Sequence, residues 1–173
     1  MTLNHILTEI PHETITIPAK TILLEEGNVA NKIYFVHTGC IRQWHNANGK
    51  DITCQFFFEN SPVACIESFI KSSPSEYTLE TILQSELYVI KREDIKEWLH
   101  NNPQQTNSIL EFAIERMLCY SKLFLSRIKE SPQKRYESLV REHPEIVAQI
   151  PQHYIATYIG ISPVSLSRIR NRK

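Results

Sequence analysis

Alternating apolar and polar positions dominate the first half of the chain. Between Thr14 and Ile90, short runs rich in β-branched and aromatic residues, "TITIPAKTILLEEG", "KIYFVHTGCIRQWHNANGKDITCQFFF" and "YTLETILQSELYVI", are separated by turn signals. Such residues pack well on a pleated, half-buried surface, so this region is expected to form antiparallel β structure. Asn48-Gly49, lying between two runs, signals a type I′ hairpin turn, whose two central residues need positive φ. Gly27, Gly39 and Gly49 all fall in this region, and Gly160 stands apart.

The period changes after Lys91. "REDIKEWLHNNP" predicts a short helix closed by Pro103, and the proline-free stretch from Gln104 to Glu130 predicts one long helix. Along it Leu110, Ile114, Met117, Ser121, Phe124 and Ile128 recur at spacings of four and three, the seam of paired helices. Ile109, Phe112, Ala113, Leu118 and Leu125 lie off that seam. Two readings are open: the seam packs on the β region, or the helix has two surfaces to bury, one against the β region and one against a symmetry mate. Ser131-Pro132 then caps a further helix, "SPQKRYESLVREHP", and Pro144 and Pro151 bracket another short segment.

The terminal stretch "PQHYIATYIGISPVSLSRIRNRK" predicts two helices, from about Pro151 to Ile159 and from Pro163 onward. Ile155, Ile159, Ile161, Leu166 and Ile169 can meet at the corner between them, where the small Ala156 permits close approach. Gly160 sits where a left-handed residue ends the first helix, and Ser162-Pro163 is a cap and first-turn pair for the second. Val164, Ser165, Ser167, Arg168, Arg170 and Arg172 are left facing outward. Helix N-terminal residues reading base edges, with Arg and Lys on phosphates, is the docking chemistry of a helix-turn-helix. A solvated basic face is the alternative reading of the same positions.

Charge sharpens the picture. The chain is formally neutral, yet residues 131–173 hold seven Lys or Arg against three Glu, leaving twelve basic and sixteen acidic residues before them. An acidic body with a +4 tail points to an anionic partner at the tail. No acid occurs from Gln149 to Lys173. At 42% hydrophobic and 22% charged residues the composition is that of a globular protein, and no apolar run approaches a membrane span. "MTLNHILTEI" lacks the layout of a signal peptide, so a cytoplasmic location is expected. Cys40, Cys54, Cys65 and Cys119 are too dispersed for a metal or redox motif and are expected as buried reduced thiols.

The order of parts resembles the Crp/Fnr transcription regulators. The resemblance covers nearly all of the chain and rests most specifically on "YIATYIGISPVSLSRIR", with Ala156, Gly160, Ser162, Leu166, Arg168 and Ile169 at matching positions. "KIYFVHTGCIRQWHNANGKDI" is similar to that family's strand, glycine turn and hairpin. It implies an α+β fold: an N-terminal antiparallel β-roll (a double-stranded β-helix) sensor over residues 1–103, a dimerisation helix over 104–130, and a helix-turn-helix over 131–173. The chain offers no residues after Lys173 for the β-hairpin wing that commonly follows, so no evident wing is expected.

By that resemblance Arg168 contacts a guanine through its guanidinium fork, Val164 and Ser165 face the groove, and Gln152 and His153 reach phosphate. Ser162, Ser167, Arg170, Arg172 and Lys173 complete the expected DNA-binding set. Val164 replaces an acid often found at its position, so the family's usual half-site is not implied. The expected partners are a near-palindromic duplex DNA, a second copy of the chain and RNA polymerase.

The sensor end departs from the pattern. Cyclic-nucleotide members carry a Gly-Glu pair and, about ten residues later, an Arg beside Ser or Thr. The matching stretch is "SPVACIESFIKSSPSEYTLET", with no Arg between Gln43 and Lys91 and no Gly between Lys50 and Ile159. A buried cyclic phosphate would lack its charge partner. The effector pocket is expected around Cys65, Glu67, Lys71, Glu76 and Tyr77, with the effector unknown, cyclic AMP not expected and a redox signal at Cys65 left open.

No cofactor or metal is expected. The cysteines do not cluster as an iron–sulfur site requires, and His5, His12, His37, His45, His100, His143 and His153 are scattered. Cys40 with His37 as haem ligands gives way to a strand-end thiol and a surface imidazole. A cupin-like metalloenzyme would need convergent imidazoles such as His-x-His, which the sequence lacks, so no enzymatic activity is expected. The reading is a DNA-binding transcription regulator, with a ligand-binding or protein-interaction β-roll whose DNA binding is weak or lost as the alternative.

Overall fold

The computed structural model describes residues 9–171. Its strands are β1 (Glu13–Ile17), β2 (Ile22–Leu24), β3 (Lys32–Thr38), β4 (Ile41–Ala47), β5 (Lys50–Phe57), β6 (Pro62–Val63), β7 (Thr78–Thr81) and β8 (Ser85–Lys91). They form two sheets ordered β1-β8-β3-β6 and β2-β7-β4-β5 with antiparallel pairing, the β-roll expected from the sequence. Asn48 and Gly49 both take positive φ, 54° and 83°, as a type I′ turn between β4 and β5 requires.

Strand β3 shows how the pattern becomes a core. Tyr34 and Val36 point to one face, into a cluster with Ile41, Phe57, Leu79, Leu87 and Val89. Phe35 points to the other, against Ile10, Ile90 and Trp98. Both faces are covered, which is why "IYFV" reads as a continuous apolar run instead of an alternating one.

The helices are α1 (Ile66–Lys71), α2 (Arg92–Asn101), α3 (Thr106–Lys129), α4 (Pro132–Glu142), α5 (Pro144–Gln149), α6 (Gln152–Tyr158) and α7 (Pro163–Asn171). Helix α1 has no counterpart among the elements the pattern predicts, because six residues are too few to display a helical period. Helix α3 begins later than Gln104 because Pro103–Gln105 form a 3₁₀ turn before it. Ser131 caps α4 as anticipated, its Oγ accepting from the Lys134 backbone N at 3.3 Å.

Two compact units emerge. One holds the chain up to Asn46 together with Cys54–Ile109; the other holds Ala47–Thr53 and the chain from Leu110 onward. In the second, Leu139, Ile146, Ile150, Ile155, Ala156, Ile159 and Leu166 are buried. Helix α3 contributes no buried residue. The seam residues Leu110, Ile114, Met117, Phe124 and Ile128 are all exposed, the last two at 64% and 65%, as are Phe112, Leu118 and Leu125 off the seam.

Within the first unit, α1 is held from behind by Arg92, the first residue of α2. Its Nη1 donates to Ser72 Oγ at 2.5 Å, and its Nη2 donates to Ala30 O and, at 3.4 Å, to Ser68 O. The guanidinium also lies 5.3 Å from the Phe69 ring centroid. Arg92 is buried, so its removal takes a charged donor from Ala30 O and Ser72 Oγ away from water, while Ser68 O keeps the Ser72 N–H. Arg92→Met is expected to cost about 2–4 kcal/mol, read as a lowered urea midpoint for the first unit. An unchanged midpoint would show that Arg92 does not carry this part of the fold.

Candidate nucleic-acid interface and ligand pocket

Helix α6 ends in a Schellman turn. The Gly160 N–H donates to Thr157 O at 3.1 Å and the Ile161 N–H to Ala156 O at 2.9 Å, with Gly160 at φ 75°. Ser162 then opens α7: its Oγ accepts from the Ser165 N–H at 3.2 Å and lies 2.9 Å from Ser165 Oγ, while its carbonyl accepts from Leu166 N at 3.0 Å. Helices α6 and α7 pack on one another, burying Ile155, Ala156, Ile159 and Leu166 at the corner, with Ile169 half-buried.

The residues expected to meet DNA fall into distinct places. Val164, Ser167, Arg168 and Arg170 are exposed on α7, and Gln152 and His153 are exposed at the start of α6. Ser162 and Ser165 are engaged with each other as the helix cap, which leaves them less free than their neighbours. The His153 ring lies against that of Tyr154, centroids 4.0 Å apart and planes tilted by 49°. Arg172 and Lys173 lie outside the described residues.

Three side chains that sequence reasoning passed over hold this helix pair. The Schellman turn occupies Ala156 O and Thr157 O; the next two carbonyls are met by arginines. Arg127 Nη2 donates to Tyr158 O at 2.7 Å, and Arg135 Nε donates to Ile159 O at 3.0 Å. Arg135 Nη1 also donates to Glu130 O at 2.6 Å, at the end of α3. Arg127 lies 6.0 Å from the Tyr158 ring centroid; burial pushes that phenol up, and the guanidinium partly opposes the shift. On another side of α6, Thr157 Oγ1 accepts from Thr53 N at 3.2 Å and lies 2.9 Å from Thr53 Oγ1. A basic residue in the last turn of a helix, such as Arg127, is commonplace, and one in a first turn, such as Arg135, shows no partner in the sequence, so nothing there singled out either.

In the β-roll unit a cavity of about 270 Å³ is bounded by Gln43 on β4, the start of α1, and the loop from Ser73 to Tyr77. Of the residues expected to form an effector pocket, Cys65, Glu67, Glu76 and Tyr77 are in its lining. Lys71 is corrected: it is not in the lining, because it lies one turn along α1 from Glu67 and points to solvent, its Nζ 2.7 Å from Glu67 Oε1. That hydrogen bond and charge hold the Glu67 carboxyl below its usual range and raise Lys71. Gln43, Ser68 and Ser75 were missed. Gln43 was legible, since it shares the inward phase of Ile41 on β4.

The lining does not fit a cyclic phosphate. Its charged members are Glu67 and Glu76, with no Lys or Arg among them. The two innermost hydroxyls are spent: Ser68 Oγ accepts from Ala30 N and donates to Ser73 O, and Ser75 Oγ accepts from Tyr77 N and donates to Tyr77 O. Arg92 sits behind α1, committed to main-chain and hydroxyl oxygens. Arg42 is equally committed, paired with Glu80 at 2.7 Å.

All four cysteines lie among the described residues and none is in a disulfide. Cys40 and Cys65 are buried as expected, whereas Cys54 is half-buried and Cys119 is exposed, corrections that follow from the uncovered surface of α3 in the second case. Among the described residues no three His, Cys, Asp or Glu side chains converge as a metal site, and no helix is long and apolar enough to cross a membrane.

Residues 14–102, just over half of the chain, match the sequence profile of the cyclic nucleotide-binding domain. No curated protein matches the chain significantly. Among solved structures, FixK2 of Bradyrhizobium japonicum is similar at a TM-score of 0.81 and 14% identity, over 94% of this chain and 84% of that one. A protein assigned to the crp/fnr family of regulators from Eubacterium rectale gives 0.74 and 19%, over 91% and 76%. The c-di-GMP responsive global regulator CLP of Xanthomonas campestris gives 0.71 and 18%, over 96% and 87%. At these identities the likeness is one of fold.

Burial pushes the Cys40 thiol up to about 12 and also raises Cys65. A thiol whose folded value is raised stays protonated in the native state, so for Cys40 stability is full below about pH 9 and falls as pH rises toward 12. Both thiols are therefore poor nucleophiles near neutrality. Brief iodoacetamide treatment of the folded chain at neutral pH, mapped by mass spectrometry, is expected to leave Cys40 and Cys65 unmodified; rapid labelling of Cys65 would restore a redox role for it.

Proposed function

The chain belongs to the cyclic nucleotide-binding domain family, and on that premise we propose that it is a sequence-specific, DNA-binding transcription regulator of the Crp/Fnr type. It acts as a homodimer and does not respond to cyclic AMP. The observation that carries this reading is the α6–α7 pair: a capped, glycine-turned corner with Val164, Ser167, Arg168 and Arg170 exposed on its second helix. An acid-free stretch from Gln149 onward favours approach to phosphate. Arg168 is the base-reading residue, with Gln152 and His153 on the backbone of the duplex.

Dimerisation is supported by α3, whose exposed seam would otherwise leave a continuous apolar surface in water. Paired recognition helices would then enter successive major grooves about 34 Å apart. Indifference to cyclic AMP is supported by the pocket lining, whose charged members are two glutamates, one paired with Lys71 outside the lining, with no Lys or Arg among them to meet a cyclic phosphate. The family match ends at residue 102, before α3. That limit favours, as a second reading, a β-roll module that binds a ligand or protein without binding DNA.

Selection from a random duplex library, with and without cyclic AMP at moderate salt, is expected to enrich the same near-palindrome in both arms. Enrichment only with cyclic AMP would overturn the pocket reading, and enrichment in neither arm would move the second reading ahead. On the selected duplex, Arg168→Ala should cost about 1–3 kcal/mol and relax preference at one base pair per half-site. Equal loss on every sequence would reassign Arg168 to phosphate. Phe124→Glu should shift dimer toward monomer in light scattering; an unchanged mass rejects the seam.

A further inference from the structure

We propose that Arg127 and Arg135 are positioning residues that fasten the turn between α6 and α7 to the C-terminal end of α3, so that the setting of α7 follows α3. The inference rests on the reading of α7 as the recognition helix, and it concerns residues that touch neither base nor phosphate.

The geometry is specific. Two helix C-termini converge on these side chains, and each presents carbonyls that its own helix cannot satisfy. At α6 the Schellman turn serves Ala156 O and Thr157 O, and Tyr158 O and Ile159 O accept from Arg127 Nη2 and Arg135 Nε. At α3, Glu130 O accepts from Arg135 Nη1. Arg135 thus bonds the two helix ends at once from the first turn of α4. Arg127 springs from the last turn of α3 and reaches α6 directly.

Only a guanidinium can do this. Its planar fork holds donors at fixed angles to carbonyls from two helices, and its charge opposes the negative ends of both dipoles. An ammonium at position 135 would supply the charge without spanning the two acceptors. Gly160 completes the joint, since a side chain at φ 75° would strain the turn that presents Ile159 O.

The test uses the 173-residue chain and four variants: Arg135→Gln, Arg135→Lys, Arg127→Gln and the double Gln variant. The first readout needs no DNA: amide hydrogen exchange at Tyr158–Ser162 should accelerate in all four, while exchange in the β-roll strands stays as in the parent. Unchanged exchange at the turn would overturn the inference whatever the protein binds. The second is binding to the duplex selected by the parent chain. Each Gln variant should bind at least about ten-fold more weakly, and Arg135→Lys should not rescue.

The salt dependence of that binding separates positioning from direct contact. A positioning role leaves the slope of log K against log salt unchanged, whereas a lost phosphate contact lowers it by about one unit per arginine. A lowered slope, rescue by Arg135→Lys, or full affinity despite faster exchange would each overturn the proposal. Arg127 is exposed, so its variant tests the joint even where Arg135 variants fold poorly. If the parent chain selects no duplex, the DNA reading fails, and the exchange readout alone decides whether the joint exists.

Discussion

In each compact unit arginines donate to oxygens of other elements, and in the helical unit those oxygens are carbonyls that a helix end leaves without a donor of its own. In the β-roll unit, Arg92 donates to Ala30 O and Ser68 O and to the Ser72 hydroxyl, fixing α1 from behind. In the helical unit, Arg127 and Arg135 meet Tyr158 O, Ile159 O and Glu130 O. Charge-assisted bonds of this kind are stronger than neutral ones, and the fork of the guanidinium reaches two acceptors with one side chain. The two regions of functional interest, one edge of the pocket and the corner of the helix pair, are therefore shaped by side chains that line neither surface.

The same commitment of polar groups governs what the pocket can hold. A β-roll of this family would be expected to offer a cation and free hydroxyls to a cyclic phosphate. Here every nearby cation is engaged: Arg92 behind α1, Arg42 with Glu80, and Lys71 on the outer face with Glu67. Ser68 and Ser75 are turned inward to stabilise the loop. The charged residues that line the cavity are both acidic, and chemistry decides the ligand more strongly than fold does.

Much of the architecture was legible because it follows from period and turn chemistry. Alternation with Asn48-Gly49 was enough for the antiparallel hairpin, and Gly160 with Ser162-Pro163 was enough for the terminal corner. Helix α1 was not legible, since a six-residue helix between strands shows no period. Lys71 was placed in the pocket as a substitute for the missing Arg, but it lies one turn beyond Glu67 on the same side of α1, past the edge of the cavity, a distance that sequence spacing does not show. Arg127, Arg135 and Arg92 were invisible for a related reason: an arginine near a helix end looks the same whether it meets water or a carbonyl from another element.

The sequence by itself determined the order of parts, the acidic body and basic tail, the outward residues of α7, and the missing phosphate partner, since each depends on local pattern or on the absence of a residue type. Tertiary structure alone decided which carbonyl each arginine meets, which hydroxyls are consumed, and that Thr53 of the hairpin lies against Thr157 of α6. Those pairings join residues as many as 104 positions apart, and no local propensity encodes a partner at that distance.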